Sequence, residues 1–145
     1  MIINYLITNI EANRDKEIAP DTQIGVEHSL NIIDVEKDER FKILKFSSKF
    51  EAKFTGNSKE IGKISVQALV VYTGDNLDKV FSTWQESKNL DKSVREEVLQ
   101  ASLNISILEA MSIAKILQLP SILPLPQVPK ASEEDESKHE KKQKK

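Results

Sequence analysis

The chain starts with an apolar, β-branched run, Ile2 to Ile10, that is apolar on both faces and reads as a first strand. After the polar stretch EANRDKEIAPD, Val26, His28, Leu30 and Ile32 alternate with Glu27, Ser29 and Asn31. A charged turn, VEKDER, leads into the clearest two-residue period of the chain. Over Lys42 to Phe54 one face reads Leu44, Phe46, Ser48, Phe50, Ala52 and Phe54, and the other Ile43, Lys45, Ser47, Lys49, Glu51 and Lys53. The segment TGNSKEIG turns the chain, and Ile64, Val66, Ala68, Val70 and Tyr72 then share a face against Lys63, Ser65 and Gln67. Four antiparallel strands with one wet face account for this pattern.

Gly74 ends the strands and the period changes. DNLDKVFSTWQESKNL holds a short helical turn around Val80 to Gln85. Asp91 or Ser93 is then placed to cap a long helix, with Ser93 and Glu96 spaced as a capping box. Pro120 stops this helix near Leu119, which makes it about 39 Å long. The fold class is therefore α+β: a four-stranded antiparallel sheet followed by a long C-terminal helix packed on one face.

The apolar positions of the helix do not form a single stripe. Val94, Val98, Ala101, Ile105 and Leu108 make one, while Leu99, Leu103, Ile107 and Leu117 fall partly on another side. Ser102, Ser106, Ala110 and Ala114 recur every four residues, a row of small side chains that lets another backbone approach closely. That backbone is either the chain's own sheet or the helix of a second copy. Because the rest of the helix is apolar too and asks for cover on both flanks, the row is read as an oligomer interface with the long helices sandwiched between sheets.

The next stretch, LQLPSILPLPQVPK, Leu117 to Lys130, packs four of the chain's five prolines among aliphatic residues. Proline breaks helices and cannot donate to a sheet ladder, so this is an extended apolar ribbon that needs an apolar surface to lie on. Residues 1–130 read as one domain, with 119–129 its apolar, Pro-rich segment. Residues 131–145, ASEEDESKHEKKQKK, hold no large apolar side chain and read as a disordered, charged tail.

Composition narrows the chemistry. The net charge of the 145-residue chain is −2, and the tail is balanced between acids and lysines, so no uniform field draws it to nucleic acid or anionic lipid. Lys45, Lys49 and Lys53 line one strand face, but Phe46, Phe50 and Phe54 point the opposite way, and a base-stacking platform needs both on one surface. The absence of cysteine rules out disulfides and thiolate metal sites. Asn4, Thr8 and Asn9 interrupt the first apolar run, so it is not a signal peptide. Gln100, Asn104, Glu109 and Lys115 interrupt the longest apolar window, so no membrane insertion is expected and the expected compartment is the cytoplasm. The histidines, His28 and His139, lack metal-ligand spacing, and His28 reads as a hydrogen-bonded structural residue. GNSKEIGK is a hairpin loop and not a phosphate loop, and DVEKDE lacks the glycine and distal Glu of a calcium loop. No enzyme activity, cofactor or metal is expected.

In the order and spacing of these parts the chain resembles the SecB-type protein-export chaperones. The parts are an N-terminal strand, a polar crossover reaching Ile18-Ala19-Pro20, three further strands, a long helix with few charges, and the passage LPSILPLPQVP. Leu119 to Val128 aligns with the family's own Leu- and Pro-rich passage, and the resemblance covers roughly residues 3–129. It implies an ATP-independent holdase that binds unfolded or non-native polypeptides along apolar grooves near the crossover and the post-helix segment. It also implies a homotetramer, a dimer of dimers, with the long helices buried between two sheets. The groove candidates are Ile18, Ile24, Phe81, Trp84, Leu123, Leu125 and Val128, each large and apolar in or beside a segment outside the predicted core. Phe81 and Trp84 would serve equally as plugs for the end of the sheet. The chain departs from the family in two places. Where family members continue after the Leu-Pro passage into a second helix that walls the groove, Lys130 here leads straight into a polar, charge-rich tail, and the end is more lysine-rich than the family tail that docks on the motor SecA. Motor binding is thus not carried over, and a general holdase or a dedicated module binding one partner peptide, such as an antitoxin-associated chaperone, fits as well.

Overall fold

The computed structural model describes residues 1–122. Strands β1 (Ile2–Arg14), β2 (Ile24–Asp38), β3 (Ile43–Gly56) and β4 (Lys59–Tyr72) are followed by helices α1 (Leu77–Ser87) and α2 (Lys92–Ile116). All neighbouring strands are antiparallel, in the order β1-β4-β3-β2. The expected α+β architecture is present, with strands longer than the hydrophobic pattern marked. Glu11 to Arg14 extend β1 along β4, and Val35 to Asp38 extend β2 along β3, because polar side chains on a wet face do not hinder ladder pairing. The β3–β4 turn shrinks accordingly to Asn57 and Ser58, both left-handed (φ 53° and 62°), the backbone of a tight hairpin turn that matches strand twist.

Leu44, Phe46, Phe50, Ala52 and Phe54 of β3 and Ile64, Val66 and Val70 of β4 are fully buried on the helix side, where the two-residue period places them. On the opposite face Glu51 takes Lys49 at 3.1 Å and Lys63 at 3.3 Å, and Lys45 lies 3.8 Å from Asp38. Hydrogen bonding from Lys49, with Lys63 behind it, lowers the Glu51 carboxyl below its ordinary range against the opposing pull of desolvation. Lys45, Lys49 and Lys63 of this face are thus tied to carboxylates while the phenylalanines sit in the core. Lys37, near the end of β2, ion-pairs with Asp78 in the first turn of α1 and ties that helix to the sheet.

The small-residue row is where the sequence reading needs correction. Ser102, Ser106, Ala110 and Ala114 are buried within the single chain, facing its own sheet rather than a second copy. They let α2 settle closely onto bulky Phe50 and Phe54, with Leu99, Leu103 and Ile107 filling one flank. Ala101 packs at the margin of the Phe46–Val98 cluster, Ile105 is half-buried, and Leu108 turns outward, 66% exposed. The hydroxyls of Ser48, Ser102 and Ser106 are buried without a hydrogen-bond partner. The core divides at this level into one cluster around Phe50, Phe54 and Ile107 and another around Phe46, Trp84 and Val98.

Helix ends also differ from the expected ones. Asp91 is the N-cap of α2 and accepts the Ser93 hydroxyl at 2.8 Å, so Ser93 lies inside the helix and forms no capping box with Glu96. At the other end α2 stops at Ile116, before Pro120 is reached. Gln118 turns left-handed (φ 54°), its N–H bonds Lys115 O, and Leu119 N–H returns to Ala114 O at 2.8 Å, a Schellman-type cap. Arg14, at the end of β1, donates from Nη1 to Leu117 O at 2.8 Å and so secures the same cap. Leu119 and Ile122 are then buried in the Phe50–Phe54 cluster, so the apolar ribbon begins by packing on the core. Gly62 makes room for it: a Cβ there would stand 3.1 Å from Asn13 O and 3.2 Å from Leu119 Cδ1.

Two stability measurements check this packing. Ala110→Phe overpacks the helix–sheet contact inside each chain and is expected to lower the unfolding free energy by about 1–3 kcal/mol in urea denaturation, whatever the oligomeric state. Ser58→Gly, which relieves a left-handed non-glycine residue, is expected to raise it by about 1 kcal/mol.

Candidate functional site

The helix α2 lies mainly over β4 and β1 and reaches β2 least. On the helix-facing side of β2, Val26, His28, Leu30 and Ile32 stand opposite Phe54, Ala52, Phe50 and Ser48 of β3. Those β3 residues have no exposure, whereas their β2 partners are only half-buried. Among the described residues an apolar row therefore runs along an edge strand with one flank open, and β2 has a neighbour strand on one side alone. The main-chain N–H and C=O groups of such an edge are available to an added extended segment.

At one end of this row α1, the short α1–α2 connection and the first turns of α2 enclose a cleft of about 550 Å³. Its apolar wall consists of Leu30, Ile32, Ile33, Trp84, Leu90 and Leu99. Local geometry accounts for several of them. The β2–β3 register slips between Ile32 and Asp34, and the extra residue Ile33 is left 48% exposed. Lys88 ends α1 in the left-handed conformation (φ 56°), its N–H bonded to Trp84 O at 2.8 Å, which reverses the chain and brings Leu90 back to the cleft. Asn31, Asn89, Lys88 and Arg95 complete the lining.

Two polar atoms at this face are unpaired. The Trp84 indole Nε1–H is buried without an acceptor among the described residues, and so is the Nε2 atom of His28 without a partner. His28 stacks on Phe50 with ring centroids 6.4 Å apart, so it is held by packing and not by the hydrogen bond its sequence position called for. Leaving a buried donor unmatched costs about 1–3 kcal/mol, which the packing around the Trp84 indole must offset.

The groove candidates read from sequence do not converge on one place. Trp84 lines the cleft as part of its buried floor, and Phe81, half-buried on the same helix, packs with it in the Phe46–Val98 cluster. Ile18 and Ile24 are half-buried against the other cluster, near Leu119 and Ile122. Leu123, Leu125 and Val128 lie outside the described residues. Leu30, Ile32, Leu90 and Leu99 were missed as site residues. Their alternation and helical spacing assign them to a core, and only the strand order reveals that β2 is an edge.

No group of three or more His, Asp or Glu side chains among the described residues is arranged to hold a metal ion, and no described helix is long and apolar enough to cross a membrane. What the cleft offers is apolar area, an unpaired strand edge and a few polar atoms, the means of binding an extended polypeptide.

No protein-family model matches the chain, and no curated protein matches it in sequence. Among solved structures it is similar to the SecB-like chaperone Rv1957 of Mycobacterium tuberculosis, determined in complex with a ChAD peptide from the Rv1956 HigA1 antitoxin. The TM-score is 0.60 at 10% identity, over 90% of this chain and 92% of that one, which makes the fold SecB-like.

The double role of Trp84 as floor and core is checked by truncation. Trp84→Ala is expected to lower the unfolding free energy by about 3–5 kcal/mol and Trp84→Phe by clearly less, as read by circular dichroism in urea.

Proposed function

We propose that the chain is an ATP-independent polypeptide-binding chaperone, a holdase that takes extended, non-native segments into the cleft and along the β2 edge. The observation that carries this reading is the 550 Å³ cleft with one apolar wall, which opens beside the free edge that β2 presents among the described residues, in a fold shared with a SecB-like chaperone. Binding by apolar area and main-chain hydrogen bonds makes few demands on side-chain identity, which suits varied clients. The reaction chemistry of an enzyme has no part in it.

A dedicated reading, in which the same cleft serves one partner peptide as in an antitoxin-associated chaperone, is supported by the peptide carried by the structural neighbour. The two separate on sequence dependence. A holdase suppresses light scattering from an unrelated unfolding enzyme without ATP, and keeps binding a peptide after its sequence is scrambled. A dedicated module does neither. No suppression at several-fold molar excess, together with no peptide binding, would end both.

The proposal includes self-association, through surfaces other than the small-residue row. Ile3, Tyr5, Leu6 and Ile10 of β1, the other edge strand, are exposed, and the outward side of α2 shows Leu108 and, at 78% exposure, Ile116. A tetramer built as a dimer of dimers would cover them. Leu108→Glu, at a position the fold itself does not bury, is expected to reduce the solution mass measured by light scattering while leaving the circular dichroism unchanged. A wild-type monomer would refute this part.

A further inference from the structure

The cleft carries a charge that its apolar function does not require. Lys88 and Arg95 both line it, and no Asp or Glu does. Neither cation takes part in an ion pair or a side-chain hydrogen bond among the described residues, in contrast to Lys45, Lys49 and Lys63 on the outer sheet face. The carboxylates nearest to them in sequence, Glu86, Asp91, Glu96 and Glu97, stand outside the lining; Asp91 is engaged by the Ser93 hydroxyl at 2.8 Å, and Glu97 lies 3.5 Å from the N-terminal ammonium. Lys88 is also held in place: its backbone is the left-handed C-cap of α1, and its ammonium sits 5.4 Å from the Trp84 ring centroid.

We infer that the cleft selects acidic-apolar polypeptide segments, those in which a large aliphatic or aromatic side chain is flanked by Asp or Glu, and discriminates against basic-apolar ones. The inference rests on the polypeptide-binding reading above and adds the class of segment. The apolar side chain enters the Leu30–Ile32–Trp84–Leu99 wall. Carboxylates that flank it meet Lys88 and Arg95. Both cations are solvent-exposed, so each pair contributes modestly and is screened by salt. Lysines on the segment would meet like charge at the same two points, which widens the discrimination.

The test uses the full chain and the emission of Trp84, its single tryptophan, as the reporter inside the cleft. Three short tryptophan-free peptides share alternating Leu and Ile positions and differ only in the intervening residues: all Glu, all Gln or all Lys. The expected order of affinity is Glu, then Gln, then Lys. The Glu and Lys peptides are expected to differ by about tenfold at low salt, the gap closing in about 0.5 M NaCl. In Lys88→Asn/Arg95→Gln, which keeps a residue type tolerant of the left-handed position, the three affinities should converge. Equal affinities in the wild-type protein, or a preference for the Lys peptide, would overturn the inference and leave polypeptide binding standing. Failure of all three peptides to bind would overturn both. The salt dependence of the wild-type protein decides the matter even if the double variant does not fold.

Discussion

One helix cannot cover four strands. The sheet spans about 14 Å between its outermost strand axes, and a helix with its side chains is about 10–12 Å across, so the layer is complete over the middle and thin at the margins. Where α2 does lie, its row of serines and alanines draws it down onto the phenylalanines of β3, and this close seat fixes the long axis of the molecule. The seat also decides what is left over. With α2 settled over β4 and β1, β2 retains an apolar row with one bare flank, and α1 closes only its end. The cleft follows from a shortage of cover more than from any dedicated set of groups.

Much of this was legible in advance and some was not, for reasons that lie in particular residues. The two-residue period around Phe46, Phe50 and Phe54 and the long apolar run through Val98 and Leu103 defined strand, helix and their facing sides, because burial imposes those periods directly. The four-residue recurrence of Ser102, Ser106, Ala110 and Ala114 announced a close contact, but spacing does not say with what. A second copy and the chain's own sheet place the same demand on side-chain size. The site residues Leu30 and Ile32 were hidden for a related reason. Their pattern is that of an inner strand, and whether a strand is inner depends on the pairing of β1 with β4, a long-range choice that leaves no local mark. Lys88 and Arg95 became visible only when the reversal at the end of α1 brought them to one cleft.

Charge is distributed with the same economy. On the solvent side of the sheet, cations and carboxylates alternate and neutralise one another, keeping an open face soluble while giving it no polarity of its own. Among the described residues the balance at the cleft is left uneven, with Lys88 and Arg95 in the lining and no carboxylate in it. On the inference drawn above, those two cations would give an otherwise indiscriminate surface its preference.

The pairing of Ile2 with Tyr72 has a further consequence for biosynthesis. The first strand to leave the ribosome is joined to the last strand of the sheet, and some seventy residues must be made before its partner exists. Throughout that interval an oily N-terminal segment, IINYLITNI, trails from the nascent chain with nothing to pair it. During its own translation the protein thus passes through an aggregation-prone stage, exposing a segment of the kind that the proposed function would have the finished protein bind.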